Sequence, residues 1–109
     1  MNLVALEAML AKGMDSPLLR FGLGKAYLDQ QQPERAIEHL RACVQQDPNY
    51  SAAWQILGQA YLDHADHDAA RQSWETGIAV AQAKGDKQTE KIMTVFLRRL
   101  DKQHRTDEE

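Results

Sequence analysis

Ser51-Ala52-Ala53-Trp54-Gln55-Ile56-Leu57-Gly58-Gln59-Ala60-Tyr61-Leu62-Asp63 is the stretch on which the fold turns. Trp54, Leu57, Tyr61 and Leu62 fall at helical spacing on one face, and Ser51 stands where it could cap the helix start. The stretch is also a near copy of the segment 34 residues earlier. Leu23, Gly24, Ala26, Tyr27, Leu28 and Asp29 recur as Leu57, Gly58, Ala60, Tyr61, Leu62 and Asp63, and Ala36 recurs as Ala70. Unrelated helical sequences would share about two or three scattered matches over such a window. Six identities clustered within seven positions point instead to a duplication, with copies at 17–50 and 51–84.

Each copy reads as two helices and a short turn. In the first, Leu19, Leu23, Tyr27 and Leu28 keep helical spacing, Gln31-Gln32-Pro33 interrupts it with proline suited to a new first turn, and Ile37, Leu40 and Val44 resume it. Asp47-Pro48-Asn49 ends that second helix. In the other copy the turn is His64-Ala65-Asp66-His67, with Asp66 as a cap, and the following helix carries Ala70, Trp74, Ile78 and Ala81. Gly85 suits the left-handed residue that closes it.

Trp54-x2-Leu57-Gly58-x2-Tyr61 followed by Ala70-x3-Trp74 resembles the tetratricopeptide repeat (TPR), a 34-residue motif of pattern W-x2-L-G-x2-Y…A-x3-F…P. The first copy matches at Leu23, Gly24, Tyr27, Ala36, Leu40 and Pro48. It departs at Arg20, where the family has tryptophan, and the second copy departs at Gln82, where the family has proline. The resemblance implies an all-α solenoid in which Gly24 and Gly58 let paired helices approach closely, faced by small Ala36 and Ala70. It also implies protein-protein interaction through a concave groove lined by the first helix of each repeat. The groove positions fall on Leu18, Phe21, Lys25, Leu28 and Asp29, then Ala52, Gln55, Gln59, Leu62 and Asp63. Family members that clamp a peptide carboxylate carry lysine and asparagine where this chain has Phe21 with Lys25 and Gln55 with Gln59, so that ligand class is not expected.

Composition agrees with the fold class. Among 109 residues, Ala, Leu and Gln number 15, 12 and 11 while Val, Ile and Thr number four each, which favours helix over sheet. With 13 basic and 16 acidic residues the net charge is −3, which argues against nucleic acid, whose affinity comes largely from cations on phosphates. No apolar run approaches the ~20 residues that span a bilayer, so no membrane association is expected. The lone Cys43 excludes a disulfide framework and fits a cytoplasmic location.

The flanks complete a single domain over 1–104. Residues 3–13 read as a leading helix, apolar on nearly all sides, and 87–103 as a capping helix before a disordered tail at 105–109. Ile92, Met93, Val95, Phe96, Leu97 and Leu100 spread over an arc of about 200°, too wide for one neighbouring helix. Ile92 and Val95 are therefore expected to pack on the helix of Trp74 and Ile78, leaving Met93, Phe96 and Leu97 as an anchor on the groove side. The partner is an unidentified protein or peptide; the alternative is a structural homodimer associating through that apolar helix.

Catalysis finds no support: there is no phosphate-binding glycine loop, nucleophile elbow or His-Glu-x-x-His. Neither cofactor nor metal is expected. Asp63-His64-Ala65-Asp66-His67-Asp68 has ligand-like residues, but it occupies an exposed turn whose counterpart, Asp29-Gln30-Gln31-Gln32-Pro33-Glu34, has no histidine. Cys43 is expected in the core as a small hydrophobe, and His39 and His104 on exposed helix faces. Arg98, Arg99, Lys102 and Arg105 read as a solvated face diluted by Asp101 and the acidic terminus.

Overall fold

The computed structural model describes the backbone of residues 2–108 and the side chains of residues 2–103. Among the described residues six helices follow one another: α1 (Leu3–Ala11), α2 (Pro17–Asp29), α3 (Pro33–Gln46), α4 (Ser51–Asp63), α5 (His67–Lys84) and α6 (Lys87–Glu108). Among the described residues there is no strand, so the chain is all-α. α6 runs on to Glu108, past the expected end at 103 and through most of the stretch expected as a disordered tail, while the side chain of His104 and the whole of Glu109 lie outside those described.

Local chemistry sets most helix boundaries. Asn2 Oδ1 accepts the Ala5 N–H at 2.8 Å, and Ser16 Oγ accepts the Leu19 N–H at 3.1 Å ahead of Pro17. Asp66 Oδ1 caps α5 by accepting the Ala69 N–H at 3.2 Å, and Asp86 does the same for Thr89 at the start of α6. Gly85 ends α5 at φ +75°, a left-handed conformation that costs glycine little. Ser51 is not the cap expected of it. Tyr50 takes that position without a side-chain bond, and Ser51 is the first helical residue, buried, with its hydroxyl donating to Asp86 at 2.8 Å. The serine ties α4 to the start of α6 instead. The duplicated turns match down to their backbone, with Gln31 at φ +60° and Ala65 at φ +62°.

Packing follows the repeat. Leu23, Tyr27, Ala36, Leu40, Leu57 and Ala60 lie in a core that α1 reaches through Leu6, and Ala70, Trp74, Ala81, Met93 and Leu100 form a second cluster between α5 and α6. Trp54 and Tyr61 touch both clusters and so join the two repeats. The N-terminal end leaves Val4, Met14 and Leu18 largely in water.

Met93 departs from the expectation. It is fully buried, its thioether filling the space left by the missing side chain of Gly77. Residues 93, 96, 97 and 100 fall at i, i+3, i+4 and i+7, the stripe a helix turns toward one neighbour, and all four belong to or pack on the α5–α6 cluster, whereas the half-exposed Ile92 and Val95 do not join it. The expected faces of α6 are thus partly exchanged: Met93 belongs to the core, and Ile92 and Val95 do not fill the contact with α5.

Candidate functional site

The first helices of each pair form an inner layer. α2 touches α4 and α4 touches α6, while among the described residues α3 and α5 make no close backbone approach. Helices that converge on one side and splay on the other make that first side concave. The outer gap between α3 and α5 is a shallow cleft floored by Trp54, Leu57 and Tyr61 and rimmed by Arg41, Gln45, Gln72 and Thr76.

The groove positions named from the sequence divide along the inner layer. Gln59 and Leu62 of α4 meet Phe96 of α6 over a pocket of about 210 Å³, which Trp74, Arg99, Leu100 and Gln103 complete. Phe96 lies tilted against Trp74, ring centroids 5.4 Å apart, so the floor is aromatic and rigid. Asp63 is exposed and accepts from Gln59 Nε2 at 2.9 Å. Gln55 and Ala52 are half-buried on the same helix, and Leu97 packs half-buried against the α5–α6 cluster. On α2, Lys25 and Asp29 are exposed, Leu28 packs half-buried on the core, and Phe21 stacks on Tyr50 at 5.0 Å. Leu18 does not join the α4–α6 pocket. It lines a separate hollow with Leu6, Met9, Leu19 and Gly22, against α1.

Trp74, Arg99, Leu100 and Gln103 line this pocket and are absent from the groove positions expected from the sequence. Arg99 stood in a cluster taken for a solvated face, and Trp74 counted only as core. The signal lay in the register of α6: once 93, 96, 97 and 100 point inward, 99 and 103 flank that stripe one turn apart.

A polar network ties α1, α2 and α3 where the family has its tryptophan. Arg20 makes a two-pronged contact with Asp15, at 2.8 and 2.9 Å, and its Nη1 donates to His39 Nδ1 at 3.1 Å. His39 Nε2 lies 3.7 Å from Glu7 Oε1, the atom that accepts from the Tyr27 hydroxyl at 2.6 Å. The His39 ring is parallel to Tyr27. His39 was expected on an exposed face and is buried instead: Arg20 donates to one ring nitrogen, and the Glu7 carboxylate stands 3.7 Å from the other. Burial and the Arg20 charge lower its pKa, and hydrogen bonds from Arg20 and Gln46 hold the Asp15 carboxyl at about 2.

Cys43 is buried, its thiol donating to the Pro17 carbonyl at 3.3 Å and pushed up to about 11 by burial and the Asp47 charge, so it is a poor nucleophile. His64 faces Glu34 at 4.0 Å, and no three metal-ligating side chains converge among the described residues. No helix among them is long and apolar enough to cross a membrane.

Residues 27–84, more than half of the chain, match the tetratricopeptide repeat family model. The chain belongs to the TPR family. A TPR repeat-containing protein of Pseudomonas aeruginosa is 60% identical over 102 residues, covering 94% of this chain and 97% of that protein. The solution structure of a Bordetella parapertussis protein is 50% identical and superimposes with a TM-score of 0.82 over 93% of this chain and 88% of that one. A heat-shock cognate co-chaperone of Aspergillus fumigatus, sgt12, is 29% identical over 90 residues, covering 83% of this chain but 26% of that protein. TPR domains are generally protein-interaction modules, and this one carries the family's helical repeats.

Proposed function

We propose that the chain is a non-catalytic interaction module that holds a peptide or a partner helix in the groove of α2, α4 and α6. It would serve as an adaptor, a chaperone-like factor or an assembly subunit, and a cytoplasmic place suits its single buried thiol. The observation that carries this reading is the pocket of Gln59, Leu62, Phe96 and Arg99 on the concave side. An apolar floor with a few polar groups at its rim is what a peptide-binding surface requires. The outer cleft between α3 and α5, by contrast, is rimmed mostly by long polar side chains.

Selection of a displayed peptide library on the immobilised chain tests the reading. Peptides recovered on the wild type should be lost on Leu62→Glu, which closes the pocket with a charge on its floor. They should survive Gln72→Glu on the outer face. Recovery that depends on Gln72 and ignores Leu62 would move the binding surface to the convex side.

A further inference from the structure

The rim of the α4–α6 pocket is electrically lopsided. On the α6 side Arg99 is exposed and has no hydrogen-bond or carboxylate partner among the described residues, and Gln103 stands one turn further along. Arg99 is the charged residue among those lining the pocket; Asp63, one residue beyond Leu62 on α4, lies outside that lining, and its carboxylate accepts from Gln59 Nε2 at 2.9 Å. The floor of Leu62, Trp74, Phe96 and Leu100 is apolar, and the half-open hollow of about 210 Å³ has room for one large side chain. Other cations on this helix are placed differently: Arg98 lines a shallow outer hollow with Lys87, Glu90 and Lys91.

From this arrangement, and resting on the groove reading above, we infer that the pocket takes a large apolar side chain of an acidic peptide, with the neighbouring carboxylate set against Arg99. Charge complementarity fixes the class. A carboxylate at the α6 rim meets the Arg99 guanidinium, which can bind it in two-pronged fashion, with the Gln103 amide on the same side. The same carboxylate at the α4 rim would meet Asp63 and be repelled, so the peptide has one favoured direction across the groove. A basic peptide has Arg99 against it at the pocket lining and finds Asp63 only outside the pocket, its carboxylate already bonded to Gln59. Because both rims are solvated, the discrimination is modest, about two- to fivefold in affinity, and weakens with salt.

Two acetylated, amidated peptides, Gly-Ser-Leu-Glu-Ser-Gly and Gly-Ser-Leu-Lys-Ser-Gly, test the inference on the whole chain by nuclear magnetic resonance titration. The reporter is the Trp74 indole N–H, which donates to the Gln55 carbonyl beneath the pocket. The expected result is a shift of that resonance with both peptides, a two- to fivefold preference for the glutamate peptide, and loss of the preference at high salt. Arg99→Glu should reverse the preference and Asp63→Asn should strengthen binding of the glutamate peptide, neither changing helicity. Equal affinities on the wild type, or a preference that Arg99→Glu leaves in place, would overturn the acidic class while the groove stands. Shifts confined to the outer helices, or none at Trp74 with either peptide, would overturn the pocket and the groove reading together.

Discussion

Gly58 of α4 and the Trp74 indole of α5 share one packing site: the indole lies where a side chain at 58 would stand, and its Nε1–H donates to the Gln55 carbonyl at 3.1 Å. Glycine inside a helix costs about 1 kcal/mol relative to alanine. Burial of an entire indole, 1% exposed and with its one donor satisfied, more than offsets that.

Gly58→Ala should accordingly destabilise the protein by about 1–3 kcal/mol despite its better helix propensity, and Gly58→Leu should cost more. Trp74→Ala should cost about 3–5 kcal/mol, a large share of the stability of a small domain. Urea denaturation followed by circular dichroism checks all three. A stabilised Gly58→Ala would show that the helix pair is not closed by this contact.

Two glycines in α2 should behave oppositely. A Cβ on Gly24 would collide with the Leu40 side chain, whereas one on Gly22 would meet only Leu6 methyls at 3.8 Å, an ordinary contact. Gly22→Ala should therefore stabilise by about 0.5–1 kcal/mol, and Gly24→Ala should destabilise by about 1–3 kcal/mol. Thermal melts of the pair separate them directly, since both changes add the same methyl to the same helix.

On α6, Met93→Ala should cost about 2–5 kcal/mol because it empties the space beside Gly77. Val95→Lys, at the half-exposed edge, should stay within about 0.5 kcal/mol of wild type. The opposite order in denaturant midpoints would restore the arrangement in which Val95 packs on α5 and Met93 faces a partner.

Acid should loosen the N-terminal part of the chain in two steps. His39 has a folded pKa below its ordinary 6.5, through burial first and the Arg20 charge second. Folding thus favours the neutral ring: the stabilisation is complete above about pH 6.5 and is lost as pH falls through the lower folded value. Asp15, held at about 2, adds stability that is lost between its ordinary range near 4 and that value. Unfolding free energy measured from pH 7.5 to 5 should fall for the wild type and fall less for His39→Gln. Identical slopes would mean that the ring does not change its proton affinity on folding.

The repeat architecture was legible because duplication, the glycine-alanine spacing and proline and aspartate at helix starts all act locally along the chain. What escaped was set across helices. His39 looked like a surface histidine because its partners, Glu7 and Arg20, lie on other helices. Ser51 looked like a cap because its bond to Asp86 spans 35 residues. The phase of α6 was misjudged because six apolar residues cover a wide arc, and only the gap at Gly77 decides that Met93 rather than Val95 points inward. For the same reason Leu62 and Phe96 were named as groove residues while Arg99, beside them, was not.

We propose that partners bind on the concave side of α2, α4 and α6. Chemical-shift mapping of a peptide selected on the wild-type chain tests it most directly. The expected result is a continuous set of perturbed residues running from Lys25 through Gln55, Gln59 and Leu62 to Phe96 and Arg99, with Arg41, Gln45 and Gln72 unmoved. A perturbed surface centred on Arg41, Gln45 and Gln72, with the concave residues silent, would contradict it.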